Sequence, residues 1–304
     1  MNIRALLATI VSASLGSIAF GQSELMPETG PVGLTLQARA SATAQQKLKA
    51  GNTTYEDVSG GSVEIGVAQT FRLAPGRTLR VSIEELGVSI DQKRDAGEPV
   101  VPLPDELNAV SAALGYTHVL NPQWILTGRV GAGSYVTDSG LLSEGWAGSA
   151  MAMAIYNHSK EVTYVFGIGY NSNLENLRVL PIFGLNWRPA PQWSVAVGFP
   201  RTAVSYHFNK NLSLGLALSG AGGAYYVAKD PQPGVAARSL ADTRLQQREI
   251  RLGVDVQWKI NPTFRVSGSV GQVLYRRFEY MDRDFELKSK GVAPYISVAG
   301  SISL

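Results

Sequence analysis

Histidine is the first side chain to consider for chemistry in this sequence, because no cysteine is present. The three histidines are His118, His158 and His207, and none has the His-x-x-x-His spacing of a metal-binding pair. His207 lies between Tyr206 and Phe208, so in a strand its imidazole points away from both rings, which makes it the one catalytic candidate. A hydrogen-bonded wall histidine is the favoured interpretation, since no Gly-x-Ser-x-Gly turn supplies a nucleophile. We therefore predict no enzyme activity, no cofactor and no metal site.

A second group of candidates consists of charged residues at alternate positions of apolar segments. They are Glu64, Arg72, Arg80, Arg129, Arg251, Asp255, Lys259 and Arg265. Charges on an enclosed face are tolerated only when they are solvated or paired. Basic residues predominate, and together with His207 the set indicates the wall of a water-filled path with a mild preference for anions. The alternative is a salt-bridged plug that fills a narrow interior.

Strands must position these candidates, and a period of two runs through most of the sequence. From Ile250 to Ile260 the even positions are apolar and the odd ones are polar or small. This run of about eleven residues is close to the length that crosses a bilayer at a tilt. The repeated pattern predicts an all-β fold, a transmembrane antiparallel up-and-down β-barrel whose charges face the lumen. The phase slips at Glu84-Glu85, which predicts a β-bulge there.

The number of strands follows from the connections, which alternate between short and long as in outer-membrane barrels. Counting the segments between them predicts fourteen strands. The segments 193–199 and 203–208, joined through Pro200, form the weakest pair, and twelve strands remain if they do not both span. Both counts are even.

The positions of the tryptophans favour a membrane barrel over a soluble β-sandwich. Trp124, Trp187, Trp193 and Trp258 all lie beside short connections, where a membrane interface would hold a belt of aromatic rings. A soluble β-sandwich would show the same alternation, with one buried and one wet face. The sandwich leaves the clustering of tryptophans at the turns unexplained, so the barrel is the preferred interpretation.

The segment 181–227 also carries recognisable features. They are Gly184-Leu185-Asn186-Trp187 with Pro189, then Trp193, then Gly198-Phe199-Pro200, then the leucine-rich strand 212–218. The segment resembles a bacterial family of outer-membrane barrels catalogued only as a domain of unknown function. The resemblance implies a barrel and an outer-membrane address, and it carries over no catalytic or binding residue.

The N-terminus predicts the compartment. Arg4, an apolar run over 5–15 and small residues at Ala19 and Gly21 are typical of a secretory signal, so we expect a signal peptide over 1–21 and a barrel domain over 22–304. The expected location is the cell outer membrane of a Gram-negative-type bacterium. The expected partners are outer-membrane lipid, small solutes and, through the C-terminal strand 292–304, the barrel-assembly machinery. A formal charge of +3 without a basic cluster predicts no nucleic-acid partner.

Two classes of function follow. The first is a porin-like passive channel or transporter for small solutes, with no specific substrate assignable. The second is a non-conducting surface or envelope scaffold, or an adhesin, that acts through its external loops. Loops of the predicted length are long enough to fold inward and close the pore, so the sequence alone leaves both classes open.

Overall fold

The computed structural model describes residues 32–93, 96–174, 178–198 and 201–304. The expected signal peptide, residues 1–21, lies outside the described residues. In chain order the strands are β1 Gly33–Ala50, β2 Thr53–Ala74, β3 Arg77–Gln92, β4 Glu106–Val119, β5 Trp124–Val136, β6 Trp146–Asn157, β7 Val162–Asn171, β8 Val179–Ala190, β9 Trp193–Gly198, β10 Arg201–His207, β11 Leu212–Val227, β12 Thr243–Lys259, β13 Phe264–Tyr280, β14 Phe285–Lys290 and β15 Ala293–Ser303. One 3₁₀ turn, Ser139–Leu141, follows β5. No helix within the described ranges is long and apolar enough to cross a membrane.

The strands form one closed antiparallel barrel. From β1 to β14 each strand pairs with its neighbour in sequence, β15 pairs with β13, and β1 pairs with both β14 and β15, which closes the sheet. The segments β14 and β15 follow one another along the same side of β13, so together they fill one position and the barrel has fourteen strands. The short β9 and β10 are both paired on each side, which confirms fourteen over twelve.

The outer surface shows why this sheet suits a bilayer. Outward positions carry exposed apolar side chains all around the barrel, for example Ile65, Val130, Leu216 and Val298. Closure leaves no sheet edge of unpaired backbone, so apolar side chains can contact lipid without exposing peptide groups. The alternative interpretation of the sequence, a soluble β-sandwich, is wrong. The described part of the chain forms one sheet and not two, and its exposed face is apolar.

The two ends of the barrel differ. At the turn end, short connections join β2 to β3, β4 to β5 and β12 to β13, and Leu34 and Leu304 exchange backbone hydrogen bonds of 3.1 and 2.8 Å across the seam. Trp124, Trp187 and Trp258 are exposed at this end. At the loop end, β1 to β3, with 16 to 22 residues, rise further than β6 to β10, with 6 to 12.

The unequal strand lengths let opposite walls meet at the loop end. Above the short strands β6 to β10, the end of β5 contacts β11, and the Thr137 N–H donates to the Tyr226 carbonyl at 3.0 Å. Around this contact an apolar cap fills the mouth of the barrel. The apolar cap consists of Leu48, Tyr55, Val58, Ile90, Val101, Leu103, Leu107, Ala109, Tyr225, Val227, Leu240, Leu245, Phe278, Tyr280 and Leu287.

The cap also explains the change of phase in β3. The predicted bulge at Glu84-Glu85 is wrong, because β2 and β3 pair without interruption from Val63–Gly87 through Gly66–Glu84. Leu86 and Val88 point inward and pack against the apolar cap. The apolar positions change sides because the interior itself becomes apolar towards the loop end.

Candidate solute path through the barrel

Two chambers lie inside the barrel that the described residues form, and the larger of these two lies towards the turn end. This lower chamber has a volume of about 680 Å³. Its charged lining comprises Arg39, Glu64, Arg80, Arg129, Arg201, Lys210, Lys259 and Arg265, and His207 lines it as well. Lys259 and Arg265 are directly opposite each other on β12 and β13. Like charges at such positions repel, and water or a bound anion relieves the repulsion.

One side of the lower chamber is apolar. Met151, Met153, Val165 and Ile182, from β6, β7 and β8, line it and are called the apolar patch. Gly167 makes room for this packing, since a Cβ built there would lie 2.7 Å from Met153 Cγ and 2.6 Å from the Ala152 carbonyl oxygen. The patch is therefore a built part of the wall.

A layer of ion pairs separates the two chambers. Arg39 and Glu64 line both of them, with Nη1 and Oε2 3.5 Å apart. Next to this pair, Arg129 Nη2 lies 3.0 Å from Glu84 Oε1. Arg39 and Glu64 are cross-strand neighbours on β1 and β2, whereas Arg129 on β5 reaches past β4 to Glu84 on β3, so these ion pairs tie together strands on one side of the barrel.

The upper chamber, of about 160 Å³, lies between this layer and the apolar cap. Glu249 on its wall is only 1% exposed and accepts from two guanidiniums: Arg276 Nε at 2.8 Å and Arg251 at 2.6 Å from Nη2. Gln247 Nε2 donates to the same carboxylate at 2.9 Å. A buried carboxylate requires such partners, because desolvating an unpaired charge is costly.

Polar contacts continue from this cluster down the wall. The Arg251 guanidinium lies 5.3 Å from the centre of the Tyr295 ring, and the Tyr295 hydroxyl is 3.0 Å from Ser269 Oγ. Ser269 donates to Asp255 at 2.6 Å, and Asp255 in turn pairs with Arg201. This connected network links the wall of the upper chamber to that of the lower one.

The apolar cap closes the path at the loop end. The β3–β4 loop contributes Val101 and Leu103, and Pro102 of this loop accepts a 2.7 Å hydrogen bond from the Tyr280 hydroxyl. The β11–β12 loop contributes Leu240, and Arg283 fixes this loop by donating to the carbonyls of residues 239, 241 and 242 at 2.8 to 3.1 Å. Both loops therefore fold into the mouth.

The structure places the sequence-predicted residues in different parts of this path. The lower chamber is lined by Arg80, Arg129, His207, Lys259 and Arg265, whereas Arg251 lines the upper chamber and Glu64 lines both. Asp255 lies on the wall beside Arg201. Arg72 is exposed at the turn end and lines neither chamber, because β2 extends past the cavity there.

Sequence reasoning missed several charges that complete the network. Arg39 and Glu84 follow the same alternation as their neighbours, so the pattern could have identified them. Arg276 could not be found this way, because the register shifts between Ile250 and Arg251 and leaves Leu274 as an extra residue on β13. Beyond that residue the inward parity changes, and Arg276 turns to the interior, where it is 4% exposed.

His207 has one feature of a catalytic base. Its Nε2 lies 2.9 Å from Ser194 Oγ on the adjacent strand β9. Within the described ranges no carboxylate lies within hydrogen-bond distance of the imidazole to orient it, as a catalytic triad requires. Neither do those residues contain a group of three or more histidine and acidic side chains that could hold a metal ion. The contact ties β9 to β10 beside the lower chamber.

A family model matches residues 77–292, and its description is "Domain of unknown function (DUF6268)". The chain belongs to this family. The match includes the segment 181–227 and confirms the resemblance seen there. A comparison with curated proteins finds no match.

Solved structures with a similar fold include the following three proteins. The COG4313 outer membrane channel from Pseudomonas putida F1 is 12% identical, with 90% of this chain and 96% of that chain covered and a TM-score of 0.49. The P. putida toluene transporter TodX is 8% identical, with 90% and 91% covered and a TM-score of 0.40. The translocator domain of the autotransporter NalP from Neisseria meningitidis is 11% identical, with 97% and 93% covered and a TM-score of 0.37. At these identities and scores none of them assigns a function to this chain.

Proposed function

We propose that this protein is a passive channel for small polar solutes in the outer membrane of a Gram-negative-type bacterium, with a preference for anions. The observation that carries the proposal is the lower chamber, a cavity of about 680 Å³ inside a closed barrel, whose charged lining residues are mainly basic. A wall of charged and hydroxyl side chains is suited to water, and an excess of basic groups favours anions. The apolar outer surface supports the membrane location.

The proposed orientation follows the general rule for such barrels, in which short turns face the periplasm and long loops face outward. The lower chamber then opens towards the periplasm, and the apolar cap lies on the external side. We also propose export through a cleaved signal over 1–21 and insertion that uses β15. Passage of solutes requires the β3–β4 and β11–β12 loops to leave the mouth.

We further propose that the barrel acts by passage and without catalysis. The Ser194–His207 contact supports this assignment, because it gives one ring nitrogen of a wall histidine a partner, while within the described ranges no carboxylate accepts from the other nitrogen to orient the imidazole, as a catalytic triad requires. Replacing Ser194 with Ala should therefore leave the function of the barrel unchanged.

The second candidate function is a non-conducting envelope scaffold that acts through its loops. The apolar cap favours it, because fifteen buried side chains at the mouth resemble a packed core more than a mobile gate. The two candidates make opposite predictions for ion flow.

The experiment that tests the proposal measures ion selectivity. In planar bilayers under a KCl gradient, the reversal potential of the wild type should indicate anion preference, and Lys259→Glu should shift it towards cations. Arg72→Glu makes the same change of charge outside both chambers and should shift it much less. Equal shifts for both variants would exclude the lower chamber from the conducting path, and absence of current from folded protein would favour the scaffold.

A further inference from the structure

The apolar patch is a feature that a simple aqueous pore does not require. A channel for polar ions needs water along its wall, and an apolar surface in the lumen weakens the solvation of a passing ion. In this barrel four apolar side chains from three adjacent strands come together on one side of the lower chamber. Two of them are methionines, whose unbranched and polarizable side chains adapt to ligands of irregular shape.

Positive charge borders the patch directly. Arg129 is the cross-strand neighbour of Met151 on β5 and β6. Side chains at directly opposed positions of an antiparallel pair start about 4.5–5.5 Å apart at their Cβ atoms, so a guanidinium and a thioether there are within reach of one small molecule. Glu84 and Ser82 hold the Arg129 guanidinium at 3.0 and 3.3 Å, which fixes the direction in which this planar fork points.

The rest of the chamber strengthens the attraction for anions. Lys259 and Arg265 face each other across β12 and β13, and Lys210 also lines the cavity. The volume of about 680 Å³ lies within the range of roughly 300–1,000 Å³ typical of sites for small organic ligands. An apolar patch with a few convergent polar groups is the usual composition of such sites.

We propose that the lower chamber binds amphipathic organic anions, in which an acidic group such as a carboxylate is separated by a few carbon atoms from an aromatic or alkyl portion. The acidic group lies at the Arg129 side, and the apolar portion lies against Met151 and its neighbours. This inference rests on the proposed function in one respect, because solute must enter the lumen. It adds the chemical class of the solute.

The test measures binding directly, so that its result does not depend on conduction. Full-length protein is embedded in lipid nanodiscs and titrated calorimetrically with 4-phenylbutyrate, with butyrate and with 4-phenylbutan-1-ol, and empty nanodiscs supply the background for partition into lipid. We expect 4-phenylbutyrate to bind at least about tenfold more tightly than either other probe, because burying part of a phenyl ring and pairing a carboxylate each contribute more than 1.4 kcal/mol, the equivalent of tenfold.

Variants separate the two parts of the proposed site. Met151→Gln should weaken 4-phenylbutyrate about fivefold or more and leave butyrate unchanged. The double change Glu84→Gln with Arg129→Gln removes the pair without leaving either charge unpartnered, and it should weaken both carboxylates but not the alcohol. Arg72→Gln is the matched control and should alter nothing, since Arg72 lines neither chamber.

The outcomes distinguish this inference from the proposed function. Equal affinities for the three probes, or variants that bind as the wild type does, would overturn the binding site even if the protein conducts ions. Selective binding of 4-phenylbutyrate by a protein that does not conduct would retain the site and overturn the channel. Tighter binding of the alcohol than of the carboxylate would show that the patch acts without the basic groups and would also overturn the inference.

Discussion

Replacing Glu249 with Gln should destabilise the barrel by about 3–5 kcal/mol, the usual cost of breaking a buried ion pair from one side. The carboxylate is 1% exposed and pairs with Arg276, itself 4% exposed, and with Arg251. A glutamine of the same size removes the negative charge and turns N–H donors towards two guanidiniums. Both positive charges then remain in the wall without their counter-charge.

The control is Glu286→Gln, which also removes one carboxylate from ion pairs with a lysine and an arginine. The Glu286 side chain is 37% exposed, so water screens its contacts with Arg277 and Lys288. Exposed pairs of this kind contribute about 0–1 kcal/mol. The two variants thus differ in burial while sharing the chemical change.

The assay is equilibrium unfolding in guanidinium chloride of protein folded into lipid vesicles, followed by the difference in gel mobility between heated and unheated samples. Adding Arg276→Met to Glu249→Gln should recover part of the loss, because one unpaired buried charge is removed. A Glu249→Gln variant within about 1 kcal/mol of the wild type, or an equal loss in Glu286→Gln, would show that burial of the Glu249 ion pairs does not stabilise the barrel.

Three further predictions concern the wall and the seam. Leu216 is 54% exposed on the proposed lipid-facing side, so Leu216→Arg should lower stability by about 2–4 kcal/mol. Ser213 lines the lower chamber, so Ser213→Arg should lower stability less. The opposite order in the same unfolding assay would reverse the assigned faces. Gly167→Ala should lower stability by about 1–3 kcal/mol, because the added Cβ would lie 2.6 Å from the Ala152 carbonyl oxygen. Gly268→Ala should be neutral, because its Cβ would have no neighbour closer than 3.9 Å. Equal midpoints of unfolding for the two variants would contradict this prediction. Deleting Ile302–Leu304 removes hydrogen bonds that close the seam and the end of the strand proposed for assembly, so the amount of protein in the outer-membrane fraction should fall sharply; an unchanged amount would count against both roles.

The outward face of the barrel could be predicted from the sequence because it satisfies a single requirement. Most outward side chains in the middle of the strands are exposed and apolar, so alternation identifies the strands, and even the short β9 and β10 keep it. The inward face satisfies no such common rule. Asp255 on β12 and Arg201 on β10 meet across β11, and no local pattern in the sequence predicts which partner lies two strands away.

Two further features of the structure could not be predicted from the periodicity of the sequence. The extra residue Leu274 reverses the parity of β13, which hides Arg276 from a pattern that is continued from Arg265. The apolar cap depends on Leu103 and Leu240, which lie in connections without regular alternation. That the loops are long could be predicted, but that they fold inward depends on contacts such as the Tyr280 hydroxyl with the Pro102 carbonyl.

Single-channel recording in planar bilayers tests the central claim, that the lumen is a path for solutes, most directly. The cap is weakened by replacing Val101 and Leu103 with Ser, which puts hydroxyls into an apolar cluster and favours withdrawal of the β3–β4 loop. If the lumen conducts, the wild type gives discrete conductance steps and the double variant spends a larger fraction of time in the open state. Folded, membrane-inserted protein that stays silent in both forms would contradict the claim.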